Sequence, residues 1–418
     1  MRKLTVKNFS VIKDAELEFG KITVLIGPQS SGKSLLCKLA YFLGREVINI
    51  AIDRVVSRFE YGFPDFEVAV QKEFAKWFPR GGWGNENWSV VFSSKDYEVT
   101  ISAPSTPELN AEATVTFNER FKLVYLARIS ATIKHKKDGG FIIAQALQSL
   151  AATDFLELSG RAVWDISPYI PLERSYFVDT FKGYRALGTE PDPISTSFAV
   201  FYANSLKPAS QMQRISRYLK GNLVSWQNDW MIAFHDGRFL PLSYLSSGSK
   251  QMLPILAALE YYESERRKSG PLHTEELYGH KLYSFDNFTI EELEASVFPQ
   301  TQYELVRELA ALANEVDFEL HFTITTHSPY LLSAFNNLLE AWQVAATKPD
   351  AKDEVANLIE ERYWIKPSDF KAYCIHDGNL ESIMDEETGL INGNYLDGVS
   401  NEIGSQFDEL LRIGYVEA

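Results

Sequence analysis

Hydrophobic and polar residues alternate along the first part of the chain and then give way to a continuous apolar run. The alternation covers Lys3–Phe19 and predicts two strands that form a hairpin at the edge of a sheet. The apolar run at 22–27, ITVLIG, predicts a buried strand, and from Lys33 to Leu43 apolar residues recur at helical spacing. The pattern therefore predicts a hairpin, a buried strand, a loop and a helix.

The next region, 46–207, mixes both periodicities. Helical spacing predicts helices at 46–59, 65–78 and 140–158, and alternation predicts strands at 88–94, 97–102, 113–117 and 122–129. We interpret this region as an α+β subdomain inserted between two halves of one core.

The second half repeats the order of strand, loop and helix. A turn at 235–237 separates two strand patterns, a long helical pattern follows residue 246, and 318–335 combines an apolar strand with a polar loop and a helix. The chain is thus predicted to be an α/β protein with a mixed sheet. Its expected sections are an N-terminal core part at 1–45, the insertion at 46–207, a second core part at 208–340 and a C-terminal α/β extension at 341–418.

Composition narrows the class of protein. Hydrophobic residues make up 45% of the 418 residues, and no apolar run reaches the roughly 18 to 20 residues of a membrane span. Met1 leads into a strand pattern, so we expect a cytoplasmic protein that does not bind membranes. The only cysteines, Cys37 and Cys374, are far apart and have no CxxC companion, which argues against a disulfide framework or a cysteine zinc site.

The net charge of −15 opposes general attraction to nucleic acid, although a local basic surface could still bind it. Three basic clusters are candidates, and a solvated surface is the simpler interpretation of each. They are Arg128 with Lys134, Lys136 and Lys137; Arg214, Arg217 and Lys220; and Arg266, Arg267 and Lys268.

The loop between the buried strand and the first helix reads GPQSSGKS. Gly27, Gly32, Lys33 and Ser34 match G-x-x-x-x-G-K-S, the Walker A motif, in the required strand–loop–helix context. Such a loop presents backbone amides to phosphate oxygens, its lysine pairs with the β- and γ-phosphates, and its serine ligates Mg²⁺. We therefore predict ATP and Mg²⁺ as cofactors. The predicted nucleotide-binding residues here are Gly27, Pro28, Gln29, Ser30, Ser31, Gly32, Lys33, Ser34 and Leu35.

Hydrolysis also requires an acid near the metal and a base for the attacking water. Glu291 and Glu292 follow the apolar run 288–290, and at the end of a strand both can reach a phosphate crevice. We assign Glu291 to the Mg²⁺ shell, together with Ser34, and Glu292 as the catalytic base. Asp286 is an alternative candidate for the acidic residue near Mg²⁺. The two glutamates could instead be solvated residues at the start of a helix, where acidic side chains favour the helix dipole.

The segment Leu245–Gln251, LSSGSKQ, precedes a helix and could be no more than a helix N-cap. It also resembles the signature loop of ABC-type ATPases, in which the signature of one subunit caps the γ-phosphate held by its partner. That resemblance implies a head-to-tail homodimer or higher oligomer with ATP at the interface. It adds Ser246, Ser247 and Gly248 to the nucleotide-binding residues.

The segment 322–329, FTITTHSP, resembles the strand and switch histidine of the same family, which implies that His327 senses the γ-phosphate or the attacking water. Together with 8–34, IEELEASVFP at 290–299 and YIPLERS at 169–175, it most resembles the RecF/SMC/OLD branch. The resemblance implies a P-loop NTPase fold of the ABC ATPase-head type, with Lys33, Glu292 and His327 as catalytic residues.

The sequence departs from the family pattern at several positions. Gln29 and Ser30 stand where the family commonly has Asn-Gly, Glu291 replaces the usual Asp, and Leu293 stands where proline is common. The glutamine of the Q-loop is not identified; Gln145 and Gln148 lie in a helical pattern.

No Toprim nuclease pattern follows His327, because Asp377, Glu381 and Asp385 are spaced like residues of a turn. His273 and His280 have no close ligand partners in the sequence.

These observations predict an ATPase that dimerises around ATP. The RecF/SMC/OLD branch includes prokaryotic DNA-repair and anti-phage defence proteins. The resemblance therefore implies the role of a sensor subunit in an anti-phage defence complex, whose separate effector is a nuclease or toxin. A RecF-like DNA-repair ATPase that binds DNA is the first alternative, and a non-hydrolysing, nucleotide-gated scaffold is the second. GTP is disfavoured because nothing resembles an NKxD segment.

Overall fold

The computed structural model describes residues 2–57, 62–84, 87–104, 112–138, 154–155, 158–159, 168–180, 192–206, 212–227, 229–269, 286–315, 320–392, 404–410 and 412. Within these residues a large mixed sheet contains strands in the spatial order β6-β5-β4-β1-β2-β14-β13-β3-β12-β11-β7. Their bounds are β1 Arg2–Phe9, β2 Ile12–Phe19, β3 Ile22–Ile26, β4 Ser89–Ser94, β5 Tyr97–Ser102, β6 Thr114–Phe117, β7 Tyr169–Ile170, β11 Asp286–Ile290, β12 Leu320–Thr326, β13 Phe370–His376 and β14 Asn379–Ser382. A second sheet consists of β8 Gly221–Trp226, β9 Asp229–Phe234 and β10 Phe239–Pro241.

One half of the large sheet is parallel. β13, β3, β12, β11 and β7 all run in the same direction, with Thr326 of β12 opposite Ile26 of β3. These strands are buried along most of their length because both faces of the sheet are covered, as is typical of parallel sheets. Their carboxyl ends therefore lie at one edge, which is where parallel α/β proteins place their ligands.

The other half is antiparallel. The predicted hairpin is present, as β1 and β2, but it is not at an edge: β1 pairs with β4, and β2 meets β14. The predicted strands at 88–94, 97–102 and 113–117 correspond to β4, β5 and β6 and extend the same sheet. The predicted strand at 122–129 is wrong, because these residues lie inside the helix Glu119–Asp138.

The C-terminal section also joins the large sheet. The sequence pattern predicted a separate α/β extension at 341–418. In the structure β13 of this section pairs with β3, and β14 pairs with β13. Gly378, between β13 and β14, accepts a hydrogen bond from the amide of Lys13 at 2.8 Å. Strand pairing over more than 340 residues of sequence leaves no local periodicity, so the pattern could not indicate it.

Helices cover both faces of the sheet. Alternate residues of β3 point to opposite faces, so Val24 joins one hydrophobic core and Leu25 joins the other. The helices are α1 Lys33–Tyr41, α2 Val47–Ser57, α3 Phe63–Trp77, α4 Glu119–Asp138, α5 Arg174–Thr180, α6 Pro193–Ser205, α7 Gln213–Leu219, α8 Ser247–Ser269, α9 Pro299–Asn314, α10 Pro329–Thr347 and α11 Lys352–Leu358. A single π turn, Phe42–Glu46, joins α1 to α2, and 404–410 is helical.

The predicted fold class is confirmed: the chain has a P-loop ATPase fold, with a large mixed sheet and helices on both faces. In the core this order of elements puts three loops at the same edge. They are the loops that follow β3, β11 and β12.

Candidate functional site

The Walker A loop leaves the sheet at the end of β3. Gly27 has a φ of 153°, and a Cβ at this position would come within 2.5 Å of the carbonyl oxygen of Ile375 on the neighbouring strand β13. Only glycine fits such a close approach at this backbone angle. The loop ends at Gly32, which precedes the first turn of α1, so amides of Lys33 and Ser34 lie at a helix start.

Lys33 is folded back onto its own loop. Its Nζ donates hydrogen bonds to the carbonyl oxygens of Gly27, at 2.9 Å, and Pro28, at 2.8 Å, and the side chain is buried. Burial lowers the pKa of Lys33, and the negative charges of Glu292 and Glu294 oppose that shift. The ammonium group is thus held inside its own loop by two carbonyl oxygens, and two carboxylates of the loop that follows β11 act on it.

The two residues that depart from the family pattern lie at the tip of the loop. Pro28, Gln29 and Ser30 are exposed, whereas Ser31, Ser34 and Leu35 are half-buried. Ser30 has a φ of 61°, the left-handed region that costs a residue with a side chain about 1–2 kcal/mol. The common glycine would adopt this backbone angle without strain.

Replacing Ser30 with glycine should leave the backbone of the loop unchanged and relieve this strain. We expect a melting temperature equal to that of the wild type or a few degrees higher, because lost strain and added unfolded-state entropy oppose each other. Differential scanning calorimetry measures this, and Ser31→Gly is the matched control. A loss of several degrees in Ser30→Gly would contradict the strain assignment.

Glu291 follows the last residue of β11 and is buried. Its Oε1 accepts a hydrogen bond from the hydroxyl of Tyr169 at 2.5 Å, and its Oε2 accepts one from the amide of Leu172 at 3.0 Å. Burial and the charge of Glu291 together raise the pKa of Tyr169 well above its usual range. The carboxylate is therefore oriented by the segment that begins with edge strand β7.

The rival acid, Asp286, occupies the other end of β11. It is opposite Leu320, the first residue of β12, whereas the Walker A loop follows the residue opposite Thr326, the last. A five-residue strand separates the two ends by about 13 Å. Asp286 is therefore at the wrong edge of the sheet for a phosphate site.

Glu292 and His327 come together although 35 positions separate them. Oε1 of Glu292 lies 3.4 Å from Nε2 of His327, and the backbone amide of His327 donates to the carboxylate of Glu294. Glu292 has a φ of 42°, a left-handed angle that costs of order 1–3 kcal/mol and persists only where the surroundings impose it. Its amide donates to the hydroxyl of Thr325 at 3.0 Å, which ties it to the end of β12.

The signature segment begins α8. The hydroxyl of Ser246 accepts a hydrogen bond from the amide of Ser249 at 3.2 Å, so Ser246 caps the helix. Ser246 and Ser247 are nevertheless exposed. A Cβ on Gly248 would come within 2.7 Å of the carbonyl oxygen of Ser296, so the helix start packs closely on the loop that follows Glu292.

Several residues of this site were missed by sequence reasoning. Tyr169, Thr325 and Glu294 form hydrogen bonds with Glu291, Glu292 and His327, respectively. Arg174 donates to the backbone carbonyl oxygens of Glu291 and Glu292. The one available signal was the family-like segment 169–175, in which an arginine follows an apolar strand. Hydrogen bonds to backbone carbonyls leave no trace in residue spacing, so the partners of Arg174 could not be predicted.

Other candidate residues fall elsewhere. Asp377 lies in the turn between β13 and β14, Glu381 lies on β14, and Asp385 accepts hydrogen bonds from the amides of Glu387 and Thr388. No group of three potential metal-ligating side chains occurs among the residues that the structure describes. Gln145, Gln148, His273 and His280 lie outside the described residues, as do the side chains of Arg266, Arg267 and Lys268, and those of Lys134, Lys136 and Lys137.

Two of the basic clusters contain ion pairs. Arg214 contacts Glu260, Glu263 and Glu308, and Arg217 also contacts Glu308. Arg128, in the first cluster, pairs with Asp154. These arginines therefore already have carboxylate partners within the chain.

Part of the chain matches a known family. Residues 193–332 match the family described as AAA ATPase domain. This stretch contains the signature segment, Glu291, Glu292 and His327, but not the Walker A loop, which the motif at 27–34 identifies independently. Among curated proteins none matches significantly, and none of the helices that the structure describes is long and apolar enough to cross a membrane.

Solved structures with similar architecture include two SMC head domains and a RecF protein. The SMC head domain from Thermotoga maritima is 13% identical, with a TM-score of 0.36 over 91% of this chain and 97% of that one. The Smc head domain of Pyrococcus furiosus, solved bound to the C-terminal domain of ScpA, is 12% identical, with a TM-score of 0.35 over 92% and 96%. The recombination mediator RecF, solved as RecF-ATPrS, is 12% identical, with a TM-score of 0.31 over 91% and 97%. The chain thus has a P-loop ATPase fold, and its residues 193–332 are similar to the family described as AAA ATPase domain.

Proposed function

We propose that this protein hydrolyses ATP at the edge where the loops after β3, β11 and β12 meet. The observation that carries the proposal is the convergence of Lys33, Glu292 and His327 from three separate parts of the chain. A base within reach of a water molecule and a cation for the phosphates are the two groups that in-line hydrolysis requires.

In this mechanism Lys33 leaves the carbonyl oxygens of its loop and binds the β- and γ-phosphates. Glu292 accepts a proton from the attacking water, and His327 beside it fixes the orientation of that carboxylate. The hydroxyl of Ser34 and the carboxylate of Glu291 are oxygen donors of the kind that Mg²⁺ prefers, and they would hold the ion. The ion would supply charge neutralisation for the phosphates.

We further propose that the active form is a head-to-tail dimer. Ser246, Ser247 and the tip of the Walker A loop are exposed, so each protomer presents two incomplete parts of a site to solvent. Phe298 and Tyr330, which follow Glu292 and His327 in sequence, are 76% and 59% exposed. Large exposed side chains next to a site are typical of an interface, and ATP would link Lys33 of one protomer to Ser246 of its partner.

The test is to measure phosphate release and oligomeric state together. We expect ATP-dependent phosphate release and a shift to a dimer by multi-angle light scattering when ATP and Mg²⁺ are added. Gly248→Ala should weaken that dimer, because its Cβ would clash with the backbone of Ser296 and displace the signature loop. Absence of phosphate release from wild-type protein at any ATP concentration would overturn the proposal and favour a nucleotide-gated scaffold.

As its biological role, we propose a sensor subunit that acts with a separate effector nuclease or toxin in anti-phage defence. Isolation of the protein from its native host should recover such an effector, and isolation without one would refute this role. The alternative of DNA binding is weakened by the ion pairs of Arg214, Arg217 and Arg128. A titration of DNA affinity against salt concentration tests this alternative. Each phosphate neutralised adds about 0.9 to the log–log slope, and a flat response would rule against DNA binding.

A further inference from the structure

Arg174 is the largest fully buried side chain with a permanent charge among the described residues. It is the first residue of α5, and among the described residues its guanidinium group donates to four backbone carbonyl oxygens. Nε donates to Gln251 at 3.0 Å, Nη1 to Pro171 at 3.2 Å and to Glu291 at 2.6 Å, and Nη2 to Glu292 at 2.8 Å.

A buried guanidinium is expensive unless its donors are satisfied, so such a group is rarely a filler of core space. Burial lowers the pKa of Arg174 to about 10, and the charges of Glu294, Glu291 and Glu292 oppose that shift. The group therefore stays charged at neutral pH. Its planar fork can hold several carbonyl groups in one fixed arrangement, which an ammonium group cannot do.

The carbonyl groups belong to two different functional segments. Those of Glu291 and Glu292 are in the loop after β11, and that of Gln251, the fifth residue of α8, is in the signature segment. At Glu292 the arginine holds the carbonyl while Thr325 holds the amide, so both sides of the left-handed residue are restrained. This pair of contacts explains how Glu292 keeps an unfavourable backbone angle.

The rest of α5 is joined to the signature segment as well. The side chain of Gln251 donates to the hydroxyl of Ser175 at 3.3 Å, and Nζ of Lys250 lies 2.6 Å from Oδ1 of Asp179. Just before α5, the amide of Leu172 and the hydroxyl of Tyr169 hold the carboxylate of Glu291. The segment 169–179 thus contacts both glutamates and the start of α8.

We propose that Arg174 is a positioning residue for Glu292 and that the segment 169–179 couples the β11 loop of a protomer to its own signature segment. A protomer's signature would then respond to the state of the catalytic base in its own site. This inference rests on the proposed ATPase function. It adds communication between the two ATP sites of the proposed dimer.

The main variant is Arg174→Lys, which keeps the charge but cannot hold the same set of carbonyl groups, with Arg362→Lys on an exposed arginine as the control. We expect kcat to fall about 10- to 100-fold while the affinity for ATP changes less than about threefold, because Glu292 acts in the chemical step and not in binding. Unchanged kcat would overturn the inference, and so would equal losses of kcat and ATP affinity.

A measurement without turnover separates this inference from the proposed function. Hydrogen exchange of the amides of Glu292 and Gln251, in protein without nucleotide, should accelerate in Arg174→Lys but not in Arg362→Lys. Unchanged exchange at both amides would overturn the positioning role, whatever the wild type hydrolyses. Absence of hydrolysis in the wild type, with accelerated exchange in the variant, would refute the ATPase proposal and leave the positioning of the β11 loop supported.

Asp179 provides a variant at a half-exposed position in case Arg174→Lys does not fold. Asp179→Lys places two cations side by side at the start of α8, and we expect lower kcat with wild-type melting behaviour. The double variant Asp179→Lys/Lys250→Asp restores the ion pair in reversed order and should recover most of the lost turnover. Equal turnover in the wild type and Asp179→Lys, or no recovery in the double variant, would refute coupling through α5.

Discussion

Glu292→Gln should reduce kcat for ATP hydrolysis about 10²- to 10⁴-fold, the range by which a positioned general base accelerates proton transfer. The amide is isosteric with the carboxylate but cannot accept the proton of the attacking water. Affinity for ATP should be retained, because Lys33 and the Walker A amides hold the phosphates. Single-turnover phosphate release together with equilibrium ATP binding measures both quantities.

Glu340→Gln is the matched control, since Glu340 is an exposed glutamate on α10. It should retain wild-type kcat. Because a trapped ATP cannot be hydrolysed, Glu292→Gln should also keep the dimer assembled longer after ATP is removed. Full turnover in Glu292→Gln would disprove the role of Glu292 as the base and would turn attention to Glu294, which also acts on Lys33.

Lys33→Met should abolish ATP binding at micromolar nucleotide and should not destabilise the protein without nucleotide. Each charge-assisted hydrogen bond lost is worth about 1.5–3 kcal/mol, so even one lost bond weakens affinity about 10- to 100-fold. The lowered pKa of Lys33 means that folding disfavours its charged form. Methionine avoids that penalty, and this gain opposes the loss of the hydrogen bonds to Gly27 and Pro28. Isothermal titration calorimetry and thermal denaturation at pH 7 test both parts.

The difference in the free energy of unfolding between the wild type and Lys33→Met should change with pH in a defined direction. Below the lowered pKa of Lys33 the ammonium is charged in both states, and the folded protein carries the full penalty. As the pH rises through that pKa toward 10.5, the free energy of unfolding of the wild type should increase relative to that of Lys33→Met. Lys38→Met, on the same helix outside the loop, should keep ATP affinity. A marked loss of stability in Lys33→Met would contradict the burial argument.

The local sequence pattern predicted those parts of the candidate site that consist of neighbouring residues. The Walker A loop occupies eight consecutive positions, and the strand before it and the helix after it are adjacent in sequence, so 22–43 was predicted in both structure and chemistry. The helix at 119–138 was predicted in part as a strand, because Val124, Tyr125 and Ile129 favour strands when their neighbours are ignored. In the structure Tyr125 packs among the rings of Phe63 and Phe66, and this packing overrides local propensity.

By itself the sequence determined a Walker A motif between a strand and a helix, a pair of candidate acids and a candidate histidine, because each depends on a short run of residues. Only the tertiary structure decided that Glu292 meets His327, that Asp286 lies at the opposite edge, and that β13 lies beside β3. It also decided the place of Arg174, whose partners are backbone carbonyls that carry no residue identity. Such contacts depend on strand order and on the close approach of distant segments, and neither is written in local periodicity.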